Sequence, residues 1–141
     1  MTAAIMRLTY TYDGDTLGGF RTLGGTVEPV RIRLAYLDAP EMSQAPWGLR
    51  ARSYLRSLLA IDERIEVRVN DTDRYGRLLA EVLRTRDYGN VGLRLVLGGY
   101  AALWQCPTTQ PAYWAAQDIA QFRRLGIWSV PGLHQTPWMY R

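Results

Sequence analysis

The sequence has no lysine, one cysteine, one histidine and no long unbroken apolar run. The single Cys106 excludes an internal disulfide or a cluster of thiolate metal ligands, and it is predicted to be a small buried apolar residue. His134 has no metal-ligand companions nearby in the sequence and is predicted to be a bystander. The most apolar stretch, residues 91–104, contains Arg94 and a glycine pair, so no membrane span is predicted.

All positive side chains are arginines. They number 17 against 13 acidic residues, which gives a net charge of +4 and a mild attraction to polyanions. Arginine makes planar bidentate contacts with phosphate, although genomic base composition also explains a chain without lysine.

The spacing of apolar residues indicates one domain, 1–141, that begins with strands and ends with helices. Alternation of apolar and polar residues predicts five strands. The first lies around 6–12, and a short second strand follows the Asp-Gly turn at 13–14. The other three lie around 30–36, 65–69 and 77–84. Helices are predicted over about 47–61, 91–97 and 111–125. The tail from residue 127 is predicted to pack on the domain as an extended segment. This order indicates an α+β, β-rich fold, a five-stranded barrel of OB type with about three helices packed outside.

Met1 leads almost at once into strand-like sequence, so no signal peptide is visible. The chain is expected to be cytoplasmic if Met1 is the native start, and secreted or periplasmic if a signal was removed. No obligate protein partner is evident, and a monomer is expected.

Carboxylates occupy the turn between the first two strands. Asp13 and Asp15 lie in YDGDTL (12–17), where Asp-Gly between strands favours a hairpin turn. The functional alternative is that one carboxylate points inward as a ligand for a hard cation, which prefers oxygen donors.

A second acidic cluster, Asp38 and Glu41, directly follows the third strand. Such a cluster is often only a loop entry or a helix cap. In a metal site, Asp38 and the backbone carbonyl of Ala39 would be ligands. Free glutamate is ionised at neutral pH, and in this hypothesis Glu41 would orient and deprotonate a water molecule.

Arginines in and after strands are the candidate phosphate ligands. Arg33 lies inside a strand, where an unpaired buried charge would be costly. Arg31 lies on the same face of that strand, so the alternative is that one of the two arginines pairs with a neighbouring acid. Arg77 follows a Tyr-Gly turn. The alternative interpretation is that Arg77 is only a solvated residue of a hairpin. The functional hypothesis is that Arg33 and Arg77 converge on one phosphate, with Arg74 and Tyr75 contacting a nucleotide by charge and stacking.

These motifs, in this order, resemble the staphylococcal nuclease (thermonuclease) family over nearly the whole chain. The matching segments are YDGDTL (12–17), VRIRLAYLDAPE (30–41), DRYGRLLAEV (73–82), NVGLRLVLGGYA (90–101), RRLGIWS (123–129) and PWMYR (137–141). The resemblance implies an OB-fold barrel with three helices and Ca²⁺-dependent hydrolysis of DNA and RNA at the 5′ P–O bond, leaving 3′-phosphate ends. Mg²⁺ or Mn²⁺ are expected substitutes for the ion.

By motif position, the resemblance implies that Asp15 and Asp38 are the calcium carboxylates, with Asp13 a further acidic position near the metal. It implies that Arg33 and Arg77 are the catalytic, phosphate-binding arginines. Its remaining implication is that Glu41 acts as general base or orders the attacking water.

Two departures from the family pattern bear on activity. Only Met42 to Pro46 separates the catalytic Glu41 from the helix, where the familiar nuclease has a longer, lysine-rich loop that helps to position substrate. Ala39 replaces a frequent threonine, so its backbone carbonyl is kept and a side-chain role is not. The family's nucleotide-base pocket aligns too poorly with this sequence around Trp104 and Tyr113 for its residues to be assigned here.

Two functional classes compete. The leading hypothesis is an active metal-dependent endonuclease with little sequence preference, whose partners are DNA or RNA. The alternative is a non-catalytic OB module that binds nucleic acid or a protein. A pure binding module need not keep all five polar positions, which are Asp15, Arg33, Asp38, Glu41 and Arg77.

Overall fold

The computed structural model describes residues 2–141, and five of its strands close into a barrel in the order β1-β2-β3-β6-β5. Neighbouring strands are antiparallel, except that β3 and β6 run parallel. With its helices outside, this barrel confirms the predicted α+β OB-type fold. The elements are β1 (Thr2–Thr11), β2 (Thr16–Leu23), β3 (Thr26–Leu34), β4 (Leu37–Asp38), α1 (Trp47–Leu58), β5 (Arg64–Thr72), β6 (Leu78–Arg84), α2 (Val91–Leu97), β7 (Ala102–Leu103), α3 (Pro111–Phe122) and α4 (Pro137–Tyr140).

The barrel core follows from the alternation of apolar residues along the strands. Met6 and Leu8 of β1 are buried, and so are Ile65 and Val67 of the facing strand β5. Each such side chain contributes about 1.5–3 kcal/mol when it is fully removed from water. Helix α1 adds its own apolar row to the same core cluster, including the fully buried Leu55.

The parallel pairing of β3 with β6 brings the two arginine-bearing segments to one edge of the barrel. Arg33 of β3 lies opposite Leu79 of β6, two residues beyond Arg77. After β3 the chain turns at Tyr36, whose φ is +75°, and enters the short strand β4. There Asp38 pairs with Ala102 of β7, which fixes the backbone of this acidic segment.

Several details differ from the sequence predictions. The third strand ends at Leu34, and α1 and α3 end about three residues early, at Leu58 and Phe122. The tail is not extended: 3₁₀ turns at Gly126–Trp128 and Leu133–Gln135 precede α4. The reason is that the tail folds back on the domain and satisfies its backbone groups locally.

The lone cysteine differs from expectation, whereas the lone histidine has a packing role that does not contradict its prediction as a functional bystander. Cys106 is only half-buried against the core. His134 is buried and stacks on Trp47, with ring centroids 4.4 Å apart, so it joins the tail to the start of α1. None of the helices within residues 2–141 combines the length and the apolar character needed to cross a bilayer.

Candidate active site

An open cavity of about 730 Å³ lies at the edge of the barrel, where the β1–β2 turn, the segment after β4 and the β5–β6 hairpin face one another. Five arginines and three acidic side chains line it, so it carries excess positive charge suited to a polyanion. Asp38 and Ala39 lie buried behind its wall. The charged lining residues are Asp13, Asp15, Arg31, Arg33, Glu41, Arg74, Arg77 and Arg141, accompanied by Tyr10, Tyr12, Thr16, Tyr75 and Trp104.

The turn between β1 and β2 aims Asp15 inward. Asp13 Oδ1 accepts hydrogen bonds from the amides of Asp15 (3.0 Å) and Thr16 (2.8 Å), the pattern of an Asx turn. Gly14 allows this turn to pack closely, because an added Cβ would lie 2.5 Å from the Cβ of Ala51 and 2.8 Å from that of Ala39. Asp13 therefore builds the turn, and Asp15, only 3% exposed, is the carboxylate delivered to the site.

Asp15, Arg33 and Asp38 form a buried charge cluster. Arg33 Nη2 donates to Asp38 Oδ1 at 3.1 Å, and Arg33 Nη1 lies 3.3 Å from Asp15 Oδ2. The same Nη1 donates to the carbonyls of Leu34 and Leu37, both at 3.0 Å. Arg33 is only 8% exposed and is held from several sides, so its position is set by the barrel and by β4.

Burial raises the pKa of both aspartates above the ordinary value. For Asp15, the Arg33 charge and the amide of Ala39, which donates to Asp15 Oδ2 at 2.7 Å, lower the pKa in part, while the charge of Asp13 raises it. For Asp38, a hydrogen bond from Arg141 and the charge of Arg33 oppose burial, while the charge of Asp15 reinforces it. Two neighbouring carboxylates that both resist ionisation form a place where additional positive charge is favourable.

Arg141 supplies such a charge from the tail. Its Nη1 and Nη2 donate to Asp38 Oδ2 (2.7 Å) and Asp38 Oδ1 (2.8 Å), and its Nε donates to Glu41 Oε1. These bonds raise the pKa of the Arg141 guanidinium further above its ordinary value. Sequence reasoning missed this residue. Its only signal was the match of the PWMYR segment (137–141) to bacterial family members.

Glu41 is held at the cavity by the start of α1. Its amide donates to Gln44 Oε1 and its carbonyl accepts from the Gln44 amide, both at 2.9 Å. Gly48, in the first turn of α1, passes so close that an added Cβ would lie 2.0 Å from the Glu41 carbonyl oxygen. The short 42–46 loop therefore forms a tight connection that fixes Glu41.

The opposite wall is the hairpin between β5 and β6. Asp73 accepts hydrogen bonds from the amides of Tyr75 (2.9 Å) and Arg77 (3.0 Å), and from Arg77 Nε at 2.7 Å. Slight burial raises the pKa of Asp73, but these bonds outweigh it and leave the pKa below the ordinary value. Arg77 Nη1 and Nη2 make no hydrogen bond to any residue in the range 2–141, so they are available to a ligand.

The aromatic ring of Tyr75 is contacted by two guanidiniums. The Cζ atoms of Arg74 and Arg77 are 4.9 and 5.7 Å from its centroid, distances typical of cation–π contact. Tyr75 itself is exposed at the mouth of the cavity. The Arg31 guanidinium donates to the Tyr75 carbonyl, so Arg31 supports the hairpin and does not pair with an acid there.

Trp104 and Tyr113, the residues around which the family's base pocket did not align, lie in different parts of the structure. Trp104 lines the cavity and a neighbouring apolar cleft next to the hairpin. Tyr113 is buried in α3, where its hydroxyl donates to Glu81 and lies 3.0 Å from the side-chain amide of Asn90. Burial raises the pKa of Tyr113 well above its ordinary value, and the residue has a structural place in the core.

The cavity thus brings together every residue that the sequence singled out for the site, with Asp38 and Ala39 just behind its surface. A closed five-stranded barrel with this charged cavity is an OB-type domain suited to phosphate-containing ligands. The catalytic, metal and substrate roles of the individual side chains stay predictions at this point.

Comparison with known sequences identifies the family. Residues 31–130 match the family model described as staphylococcal nuclease homologue. The chain therefore belongs to the staphylococcal nuclease family, and this membership supports nuclease activity on nucleic acid.

Three relatives illustrate the similarity. A micrococcal nuclease of Shigella flexneri is 34% identical over 92% of this chain and 75% of its own length. An uncharacterized endonuclease of Escherichia coli O157:H7 is 32% identical over 96% of this chain and 83% of its own length. The probable endonuclease LCL3 of Colletotrichum graminicola is 30% identical over 87% of this chain, which spans only 56% of that longer protein.

Proposed function

We propose that the protein is a calcium-dependent endonuclease with little sequence preference, which hydrolyses phosphodiester bonds of DNA, RNA or both and leaves 3′-phosphate ends. The observation that carries the proposal is the single cavity shared by Arg33, Arg77, Glu41 and Asp15, with Asp38 directly behind them. The names of the bacterial relatives, nuclease and endonuclease, support the same activity.

The chemistry of the acids fits a hard divalent cation. Asp15 and Asp38 are buried oxygen donors with raised pKa values, and the Arg141 guanidinium already lies against Asp38 as a substitute positive charge. Within residues 2–141 no three His, Cys, Asp or Glu side chains gather as a metal cage. The proposed ligands are therefore the two carboxylates and the Ala39 carbonyl, completed by water, a set that Ca²⁺ accepts and Mg²⁺ or Mn²⁺ would also accept.

When bound, the ion would acidify the attacking water and offset negative charge on the phosphate. Glu41 accepts the proton of that water at a carboxylate oxygen. The oxygen of the water attacks phosphorus, the bond to the 5′ oxygen breaks, and the phosphate stays on the 3′ oxygen. The 5′ oxygen takes a proton from solvent, which balances the reaction.

Arg33 and Arg77 stabilise the extra negative charge of the five-coordinate transition state. Arg33 would act from a fixed position, while Arg77 offers two terminal nitrogens that make no hydrogen bond to the residues that the structure describes. Removal of one well-placed donor of this type costs about 10²–10³ in rate. Arg74 and Tyr75 would hold the adjoining nucleotide by charge and stacking.

Plasmid digestion tests the proposal. Wild type should cleave with Ca²⁺ and stop with chelator, and Glu41→Gln and Arg77→Ala should each cleave at least about 10²-fold more slowly. Matched controls are Asp118→Asn and Arg123→Ala, exposed charges on and just after α3, which should cleave at the wild-type rate. Undiminished cleavage in chelator, or by either site variant, would contradict the assigned roles.

The contact between Arg141 and the two acids favours one second candidate, a module that binds nucleic acid without cleaving it. In that case the guanidinium would permanently satisfy Asp38 and Glu41. The same digestion then yields intact plasmid at every Ca²⁺ concentration, while a gel shift still reports binding that weakens steeply with salt.

A further inference from the structure

The tail places Arg141 through several built contacts. After α3, the amide of Ile127 donates to the carbonyl of Gly99 at 2.8 Å, which attaches the first 3₁₀ turn to the domain. His134 then stacks on Trp47 at the start of α1. A hydrogen bond of 3.0 Å joins the Tyr140 hydroxyl to Ser43 Oγ, in the same loop that follows Glu41. The approach of Arg141 to the acids is therefore supported by the fold of the whole tail.

At the acids, Arg141 uses the atoms that a cation would need. Asp38 Oδ1 already accepts from Arg33, whereas Asp38 Oδ2 has no donor other than Arg141 among residues 2–141. The Nε of Arg141 also donates a hydrogen bond to the carboxylate of Glu41. A cation coordinated through Asp38 Oδ2 and the Arg141 guanidinium would occupy the same place, so they exclude each other by sterics and by charge repulsion.

Release of Arg141 does not require the core to open. Its side chain is 41% exposed, whereas the Asp38 side chain beneath it is fully buried. A rotation of the long arginine side chain is enough to free both carboxylates. The contact can therefore form and break while the barrel and the tail anchors stay in place.

We propose that Arg141 is a tethered cationic plug, which closes the acidic site when no divalent cation is bound and must leave before the cation binds. This inference rests on the calcium site proposed above and adds to it a control of cation affinity by the chain itself. The apparent dissociation constant equals the intrinsic constant divided by the fraction of open molecules. A plug that is closed in about nine molecules of ten therefore weakens apparent binding about tenfold.

Isothermal calorimetry with Ca²⁺ and protein free of nucleic acid tests the plug. Arg141→Gln should bind Ca²⁺ about tenfold more tightly than wild type, because the competing guanidinium is gone. Arg141→Lys should lie between them, since a single ammonium cannot bridge both oxygens of Asp38. Arg123→Gln removes an exposed charge next to α3 and controls for net charge, so its affinity should equal that of wild type.

A second measurement follows Arg141 directly. In proton–nitrogen NMR spectra, the Nε–H signal that disappears in Arg141→Gln identifies this guanidinium. In wild type the signal should move toward solvent-exposed arginine values as Ca²⁺ is added, and the midpoint should agree with the calorimetric constant.

The outcomes separate the plug from the calcium site. Equal Ca²⁺ affinity of wild type and Arg141→Gln overturns the plug but leaves the calcium site standing, as does weaker binding by the variant. An Nε–H signal that stays unchanged at saturating Ca²⁺ likewise overturns the plug alone. Absence of Ca²⁺ binding by both proteins overturns the calcium site and the plug with it.

Discussion

The two walls of the cavity hold their charges in different ways. On the acidic wall, Asp15, Arg33 and Asp38 are almost completely buried, and both terminal nitrogens of Arg33 have partners. On the hairpin wall, Tyr75 is exposed, and within the described part of the chain the Arg77 side chain uses only its Nε as a hydrogen-bond donor. The difference indicates that the barrel fixes the geometry around the proposed ion, while the hairpin presents donor atoms and an aromatic ring to the proposed polynucleotide.

The largest expected contrast is in stability. Arg33→Ala leaves two buried carboxylates without their shared partner and should lower the free energy of unfolding by about 3 kcal/mol. Arg77→Ala removes a partly exposed ion pair and should cost no more than about 1 kcal/mol. Urea denaturation followed by tryptophan fluorescence, in calcium-free buffer, measures both values.

Arg68→Ala serves as control for this contrast, because Arg68 is a barrel-strand arginine whose ion pair with Glu66 is partly exposed. It should behave like Arg77→Ala. Equal losses for Arg33→Ala and Arg77→Ala would break the distinction between the two walls.

Gly48→Ala tests the packing behind the acidic wall. Alanine is favoured over glycine inside a helix by about 1 kcal/mol, so propensity alone predicts a gain in stability. Because the new Cβ would lie 2.0 Å from the Glu41 carbonyl oxygen and 2.7 Å from Met42 Cα, we expect instead a loss of about 2 kcal/mol. Slower plasmid cleavage should accompany the loss, since Glu41 must shift.

Thermal or urea denaturation reports the sign of the Gly48→Ala effect. Ser53→Ala, an exposed position on the same helix, provides the comparison and should be neutral or slightly stabilising. A more stable Gly48→Ala variant with unchanged cleavage would show that the start of α1 does not position Glu41.

The smallest expected effect concerns the hairpin wall. Asp73→Asn weakens three hydrogen bonds to Tyr75 and Arg77 and should lower the free energy of unfolding by about 1 kcal/mol at pH 7. The folded-state pKa of Asp73 lies below the ordinary value of 3.8. Its stabilisation is therefore fully present above that value and is lost as pH falls through the folded-state pKa.

Denaturation of wild type and Asp73→Asn at several pH values checks this sign. The difference between them should be constant near neutral pH and shrink below about pH 4. Asp118→Asn, exposed on α3, should show no such change. A difference that grows as pH falls would contradict the stabilising role of the Asp73 carboxylate.

Local sequence patterns predicted the barrel well, and for a physical reason. Alternation of apolar and polar residues indicates which face of a strand is buried. Asn90 predicted the start of α2, and its side chain accepts a hydrogen bond from the Leu93 amide as an N-cap. The strands β4 (Leu37–Asp38) and β7 (Ala102–Leu103) were missed because two residues have no measurable periodicity. The tail was misjudged because its prolines and glycines do not distinguish extended chain from 3₁₀ turns.

The candidate site depended on more than local pattern. No local rule places Asp15 against the amide of Ala39. The grouping of the acids and arginines was a hypothesis from residue chemistry, and the family resemblance supported it. The sequence did not decide whether Asp13 and Asp15 form the turn or bind a cation. In the structure, Asp13 accepts the hydrogen bonds of the Asx turn. The contact of Arg141 with Asp38 was missed because it joins positions 103 residues apart, and only the match of the PWMYR segment (137–141) pointed to this part of the chain.

The parallel pairing of Arg33 with Leu79 joins Arg33 to β6, the strand that begins directly after Arg77, through the backbone ladder of β3 and β6. The segment 42–46 lies outside that ladder, between β4 and α1. Insertions or deletions there can reshape the rim of the cavity, while the backbone ladder between β3 and β6 is left unchanged. The proposed substrate preference and the proposed cleavage chemistry can therefore change independently within this one scaffold.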